Sequence, residues 1–322
     1  MSVLGLVHSG LLGLGLLGTA AIGTAAIGSA AIGTAAIGTA ATGSVTLGPP
    51  RAPAAPSAPA DDGTPNQAFE RLPGFSAVVL SHVTRVMGLE VLPSANGFPL
   101  DPGMFVTIGL DRIYAADREV ITLADGRIND TVAALECGNL CPASVFDAFQ
   151  AEWLALAIEA TQRGIDLPGN VVIAAHGRLP VTTLLASVYA VATARPLRPP
   201  SFALVLSSPG RGLRGQPFYV LPPGGLRLSQ GAAALGLQLR FGRGGFEVTA
   251  EDPQFNRELR ARDAAGLRAV LREVKKRYPG KQAIILEPDE TVTVADLVAT
   301  MVAVRAEFPR IVLSAGQDLV LQ

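Results

Sequence analysis

The chain has 322 residues, 49% of them hydrophobic, with a formal net charge of −1. That balance gives no footprint for nucleic-acid binding, which favours a basic stripe, and at roughly 100–200 residues per domain the length allows two folded units plus extra segments. Aromatics are 5% of the chain and Arg outnumbers Lys 23 to 3, so the cores have to be built mainly from Val, Leu, Ile and Ala.

Residues 1–50 contain no Asp, Glu, Lys or Arg; the first charged side chain is Arg51. Within them "AAIGTAAIGSAAIGTAAIGT" (20–39) repeats one pentad four times. In an α-helix five residues advance about 500°, which spreads the glycines around every face. A helix that is apolar or small all round suits a bilayer, and Val3–Ile27 exceeds the ~20 residues a span needs. Residues 1–48 are therefore read as an apolar, Gly/Ala-rich membrane anchor. A cleaved signal peptide would carry a basic n-region, which is missing. A solenoid or low-complexity tail is the third reading. Gly13-Leu-Gly15-Leu-Leu-Gly18 matches G-x-G-x-x-G, but no strand precedes it and no acidic residue follows about 20 positions on, so the dinucleotide reading is rejected. Residues 49–74 form a Pro/Ala-rich linker, a composition that is extended and semi-rigid.

Two folded units follow, 75–210 and 211–322, and parts of them resemble each other. "PGNVVIAAHGRLPVTTLLASVYAVATARP" (168–196) and "PGKQAIILEPDETVTVADLVATMVAVRAEFP" (279–309) share a Pro-Gly start, an apolar strand, a polar turn and a helix, with the turn read as two residues longer in the second. Short strands follow each, "ALVLSS" (203–208) and "IVLSAG" (311–316). Duplication of a β–α–β unit explains the match. Upstream, Phe146, Phe149, Trp153, Leu156 and Ala160 recur at helical spacing over 144–164, with Ser144 as expected cap. A second helix over 263–280 turns Leu267, Val270, Leu271 and Val274 inward. Before each helix lies a hairpin pattern. One covers 104–123 with a turn near Ala115–Asp117; the other covers 234–250 with its turn at Gly242–Gly245. The expected fold is α+β: two tandem β-β-α-β-α-β domains after the apolar, transmembrane N-terminal segment.

The stretches "VTIGLDRIYAADREV", "VVIAAHGRLPVTTLLASVYAVATA" and "AIILEPDETVTVADLVATMVAVRAEFPRIVLSAG" resemble the soluble domain of the ExbD/TolR family of biopolymer transport proteins. "VLPSANG" (91–97) resembles the segment following that family's membrane helix, and Asp289 falls at its acidic-turn position. The likeness covers about 90–316 as two copies. It implies an inner-membrane anchor with periplasmic domains, and partnership with an ExbB/TolQ-like membrane channel in proton-motive-force-coupled transport or envelope integrity. Contact with peptidoglycan or an outer-membrane-linked protein is implied as well. Family members carry an Asp in the membrane helix for proton transfer, a costly placement kept for that work. Residues 1–50 hold no Asp or Glu, so the expected role is that of an accessory protein. The alternative is a binding module whose duplicated domain forms a pseudo-dimer and holds a protein or cell-wall ligand, without proton coupling.

Cys137 and Cys141 are the only cysteines. They are read as a local disulfide, a bond favoured if the domain crosses a membrane. Reduced thiols, or a metal site completed by His82 or His176, are the alternatives. Glu287, Asp289, Glu290 and Asp296 read as a turn leading into a helix capped by Thr293 or a neighbour. No G-x-S-x-G and no phosphate loop occurs. The chain is expected to be non-enzymatic, with no cofactor and no metal.

Overall fold

The computed structural model describes residues 92–321, apart from 95–96, 102, 116–117, 168, 196–199, 209–211, 225, 229–235, 251–254, 256–257 and 318. The described residues belong to one compact unit. The chain first forms β1 (Met104–Ile108), β2 (Arg112–Ala115) and β3 (Arg118–Thr122). Then come α1 (Ala143–Arg163), β4 (Asn170–Ala175), α2 (Val181–Ala194) and β5 (Ser201–Ser208). After β6 (Gly212–Val220) and the short β7 (Leu226–Leu228), the order repeats. It runs β8 (Leu237–Gly242), β9 (Gly245–Ala250), β10 (Leu259–Ala261), α3 (Ala264–Arg277), β11 (Ala283–Pro288), α4 (Val294–Arg305) and β12 (Arg310–Leu313). The last element is β13 (Leu319–Leu321), which pairs with β7.

All strands except β7 and β13 join one sheet, in the order β10-β9-β8-β11-β12-β6-β5-β4-β1-β2-β3. Its two ends are built alike. β1, β4 and β5 run parallel, with β2 and β3 added antiparallel outside β1. β8, β11 and β12 run parallel in the same way, with β9 and β10 outside β8. Between the two sets lies β6, antiparallel to β5 and parallel to β12.

This arrangement corrects the expected fold class. The chain does not form two separate β-β-α-β-α-β domains; the described residues form a single 11-stranded mixed sheet with four helices on it. Burial gives the reason. One continuous core joins Ile108, Ile173 and Leu204 from one end of the sheet with Leu239, Leu286 and Leu313 from the other, under helices from both. The central helices α2 and α4 are buried on most sides, as sequences such as VTTLLASVYAVATA require, while α1 and α3 flank them. Closing two cores would have left those central helices with apolar flanks in water; sharing one core removes that surface, at about 25 cal/mol per Å².

The expected inner-membrane and periplasmic placement is corrected as well. Among the described residues no helix is long and apolar enough to cross a membrane. The longest, α1, carries Asp147, Glu152, Glu159 and Arg163 and packs one face on the sheet. The apolar segment 1–48 and the linker 49–74 lie outside the described residues.

At the centre the two halves meet through an isologous pair of hydrogen bonds. The Val181 amide donates to Val292 O at 2.9 Å, and the Val294 amide donates to Leu179 O at 2.9 Å. These four positions are equivalent in the two halves, so a pseudo-two-fold axis passes between Pro180 and Thr293, the bridged residues.

Candidate functional site

The turns beside that axis hold the residues singled out in the sequence. Each follows the last residue of a parallel strand, β4 or β11. The His176 amide donates to Ile108 O and the Asp289 amide to Phe241 O, both at 2.9 Å. His176 Nδ1 accepts from the Arg178 amide at 3.1 Å, and Asp289 Oδ1 accepts from the Thr291 amide at 2.7 Å. His176 and Asp289 thus occupy the same place in the same turn, five residues before the first residue of α2 and α4 respectively. The two extra residues of the second copy are not in the turn: they are Lys281 and Gln282, ahead of β11. A Cβ on Gly242 would lie 1.6 Å from Asp289 Oδ2, so glycine there is what lets the carboxylate fold back over the strand end.

Helix starts follow local chemistry. Thr293 caps α4 and forms a reciprocal box with Asp296, an arrangement that satisfies two orphan donors at once. Ser144 does not cap α1. Its amide instead donates to Asp130 Oδ2 at 3.2 Å, while Oδ1 takes the Val132 amide at 2.9 Å. Those hydrogen bonds hold the Asp130 carboxyl below its ordinary value, the Ser144 side-chain interaction being the largest cause.

Beside Asp289 the sheet face opposite the helices opens into a groove of about 660 Å³, lined by Arg240, Glu247, Arg260, Arg262, Glu287 and the β8–β9 hairpin among others. Strand register makes its floor a row. Arg260 on β10 is opposite Glu247 on β9, which is opposite Arg240 on β8, which is opposite Glu287 on β11. Charge alternates across four adjacent strands. Arg240 Nε bonds Glu287 Oε2 at 3.0 Å, and this bond is the main reason the Arg240 guanidinium is held above its ordinary value. The equivalent row in the first half is Glu119, Tyr114, Thr107 and Ala174. There Thr107 and Ala174 are buried, in company with Phe105, Val172 and Val205. The two halves share a backbone plan but treat the same face differently.

Cys137 and Cys141 are disulfide-bonded in the structure and buried beside the start of α1. His82 lies outside the described residues. Among the described residues no three His, Cys, Asp or Glu side chains are grouped to hold a metal ion. Glu290 is exposed on the turn after Asp289 and takes no place in the groove lining. The row of alternating charge escaped the sequence reading because it exists only through cross-strand register; the hairpin pattern at 234–250 placed Arg240 and Glu247, but nothing local placed Arg260 and Glu287 beside them.

Comparison with known families, known proteins and solved structures gives no match. The geometry of the chain itself must carry the reading of function.

Proposed function

We propose that this chain is a non-enzymatic binding module whose internally paired halves hold a protein or cell-wall ligand on the open sheet face of the second half. One observation carries the reading: the Arg260–Glu247–Arg240–Glu287 row lines an open groove, whereas the inner half of its counterpart, Thr107 and Ala174, is uncharged and buried. Strands are spaced about 4.8 Å apart, so the row presents charges of alternating sign at regular intervals. That pattern complements a peptide carrying both carboxylates and amines and running across the strands. Complementary charge of this kind sets register and partner choice more than raw affinity. The resemblance of residues 90–316 to the ExbD/TolR family supports a docking role. The accessory role in proton-coupled transport beside an ExbB/TolQ-like channel rests on that resemblance alone.

The test is co-sedimentation of the full chain with purified peptidoglycan, alongside co-purification with a co-expressed ExbB/TolQ-like channel. Capture by either is expected, with a loss of about tenfold in the double variant Arg240→Ala, Arg260→Ala, since hydrogen bonds to charged groups contribute ~1.5–3 kcal/mol. Capture of neither, or equal capture of the double variant, overturns the groove as the binding face.

A further inference from the structure

A second polar feature lies at the seam, away from the groove. β6 pairs with β12 only through Tyr219 and Val220, opposite Val312 and Leu313. Beyond the start of β12, the edge of β6 is taken by Phe98, which exchanges backbone hydrogen bonds with Gly215 at 2.9 and 2.8 Å. Arg305, the last residue of α4, enters this notch. Its Nη1 donates to Gln216 Oε1 at 2.7 Å, and its guanidinium lies 4.1 Å from the centre of the Phe98 ring. Gln216 is fully buried, and its own amide donates to Pro217 O at 3.3 Å, which fixes the oxygen toward Arg305. Arg214, two residues back on β6, has a buried Nε with no hydrogen-bond partner.

Both arginines flank Gln216, one on its strand and one bonded to its side chain, and the described residues supply no carboxylate to either. A partly desolvated charge is ordinarily paired, and burial holds the Arg305 guanidinium below its ordinary value. Nor does the fold demand arginine here, because the equivalent position on α2 is Ala192. A guanidinium has five donors in a rigid fork; one is spent on Gln216, the face is spent on Phe98, and the remaining edge is positioned and unused. Stacked, oriented arginines of this sort recognise planar carboxylates.

We propose that the notch between β6 and β12 binds a carboxylate of a partner polypeptide, gripped by the free edge of Arg305 with the Phe98 ring against the neighbouring carbons. Phe98 is 51% exposed, so the notch is open to such a group and offers it an apolar wall. That wall favours a carboxylate on a peptide over the more strongly hydrated phosphate ion. The site is separate from the charged groove, so its failure leaves the groove reading untouched.

The experiment follows the Arg305 Nε–H resonance of the full chain by NMR during titration with three probes. These are an N-acetylated tripeptide with a free C-terminal carboxylate, the same peptide as its C-terminal amide, and inorganic phosphate. A saturable shift is expected with the free acid, weaker by about tenfold or more with the amide and with phosphate. Arg305→Lys keeps the charge and the packing of the stem but lacks the fork, and is expected to weaken binding by about tenfold, read from the shifts of the Phe98 and Gly215 amides. Arg240→Gln, in the groove, is expected to leave it unchanged. No saturable shift, equal binding of amide or phosphate, or unchanged binding in Arg305→Lys overturns the proposal.

Discussion

Tyr189 is fully buried in α2, and its hydroxyl faces Gln317 and the Ala315 backbone without forming a hydrogen bond with either. Burial pushes the phenol well above its ordinary value. The folded chain therefore keeps this proton after the unfolded chain has lost it. The associated stability is complete below the ordinary phenol value of about 10 and is lost as pH rises beyond it. Tyr189→Phe removes both the orphan hydroxyl and this pH dependence. Its stability near neutrality is expected to equal the parent or exceed it by about 1 kcal/mol, and its urea midpoint to fall less between pH 8 and pH 11. Gly242 gives a second test at this scale. A methyl group there meets the Asp289 carboxylate, whereas one on Gly244 meets nothing within 4 Å. Gly242→Ala should cost about 2 kcal/mol and Gly244→Ala less than about 0.5 kcal/mol, as measured by chemical denaturation.

Helices and strands differ in how far the chain announces them. Periodicity placed a helix over 144–164 and the structure has it at 143–163, because Phe146, Phe149, Trp153, Leu156 and Ala160 all face the core. Its cap was not legible: Asp130 reaches Ser144 from 14 residues away, across a loop held by the 137–141 disulfide. By contrast, Thr293 and Asp296 are three residues apart, and the box they form can be read directly. Thr293→Ala should cost about 1 kcal/mol, seen as a lower thermal midpoint with unchanged helix content in the native state. The hairpin at 234–250 is present with its turn where the glycines put it, yet the leading strand of the 104–123 hairpin is broken into β1 and β2, and β10 lies beyond any strand read from the sequence. The central strand β6 carries Gly212, Gly215 and Pro217, residue types that argue against a sheet interior, so nothing local marks it as one. Its place follows from what no local pattern contains: once the helices share a core, the edges of β5 and β12 face each other across a gap one strand wide, which β6 fills.

At the scale of the molecule, duplicated sequence became a duplicated half-sheet, but the halves fused where independence was expected. Alternating hydrophobicity fixes which face of a strand is buried and leaves open which edges pair, so a single sheet and two sheets look alike in the chain. The reciprocal bonds between Val181, Val292, Val294 and Leu179 close a pseudo-symmetric contact within one chain. A fragment spanning residues 70–322 is therefore expected to sediment as a monomer at micromolar concentration. A dimer that persists on dilution would show that the axis is not the only interface. Amide exchange at Val181 and Val294 is expected to be among the slowest in the chain, because opening either requires the shared core to part.

The lone β6 has an evolutionary corollary. Two identical subunits related by symmetry are forced to wear the same surface twice, and any substitution appears on both. With one strand wedged between unequal halves, each side of this protein is free to drift alone: one has turned greasy and closed, the other ionic and open, on a single inherited plan.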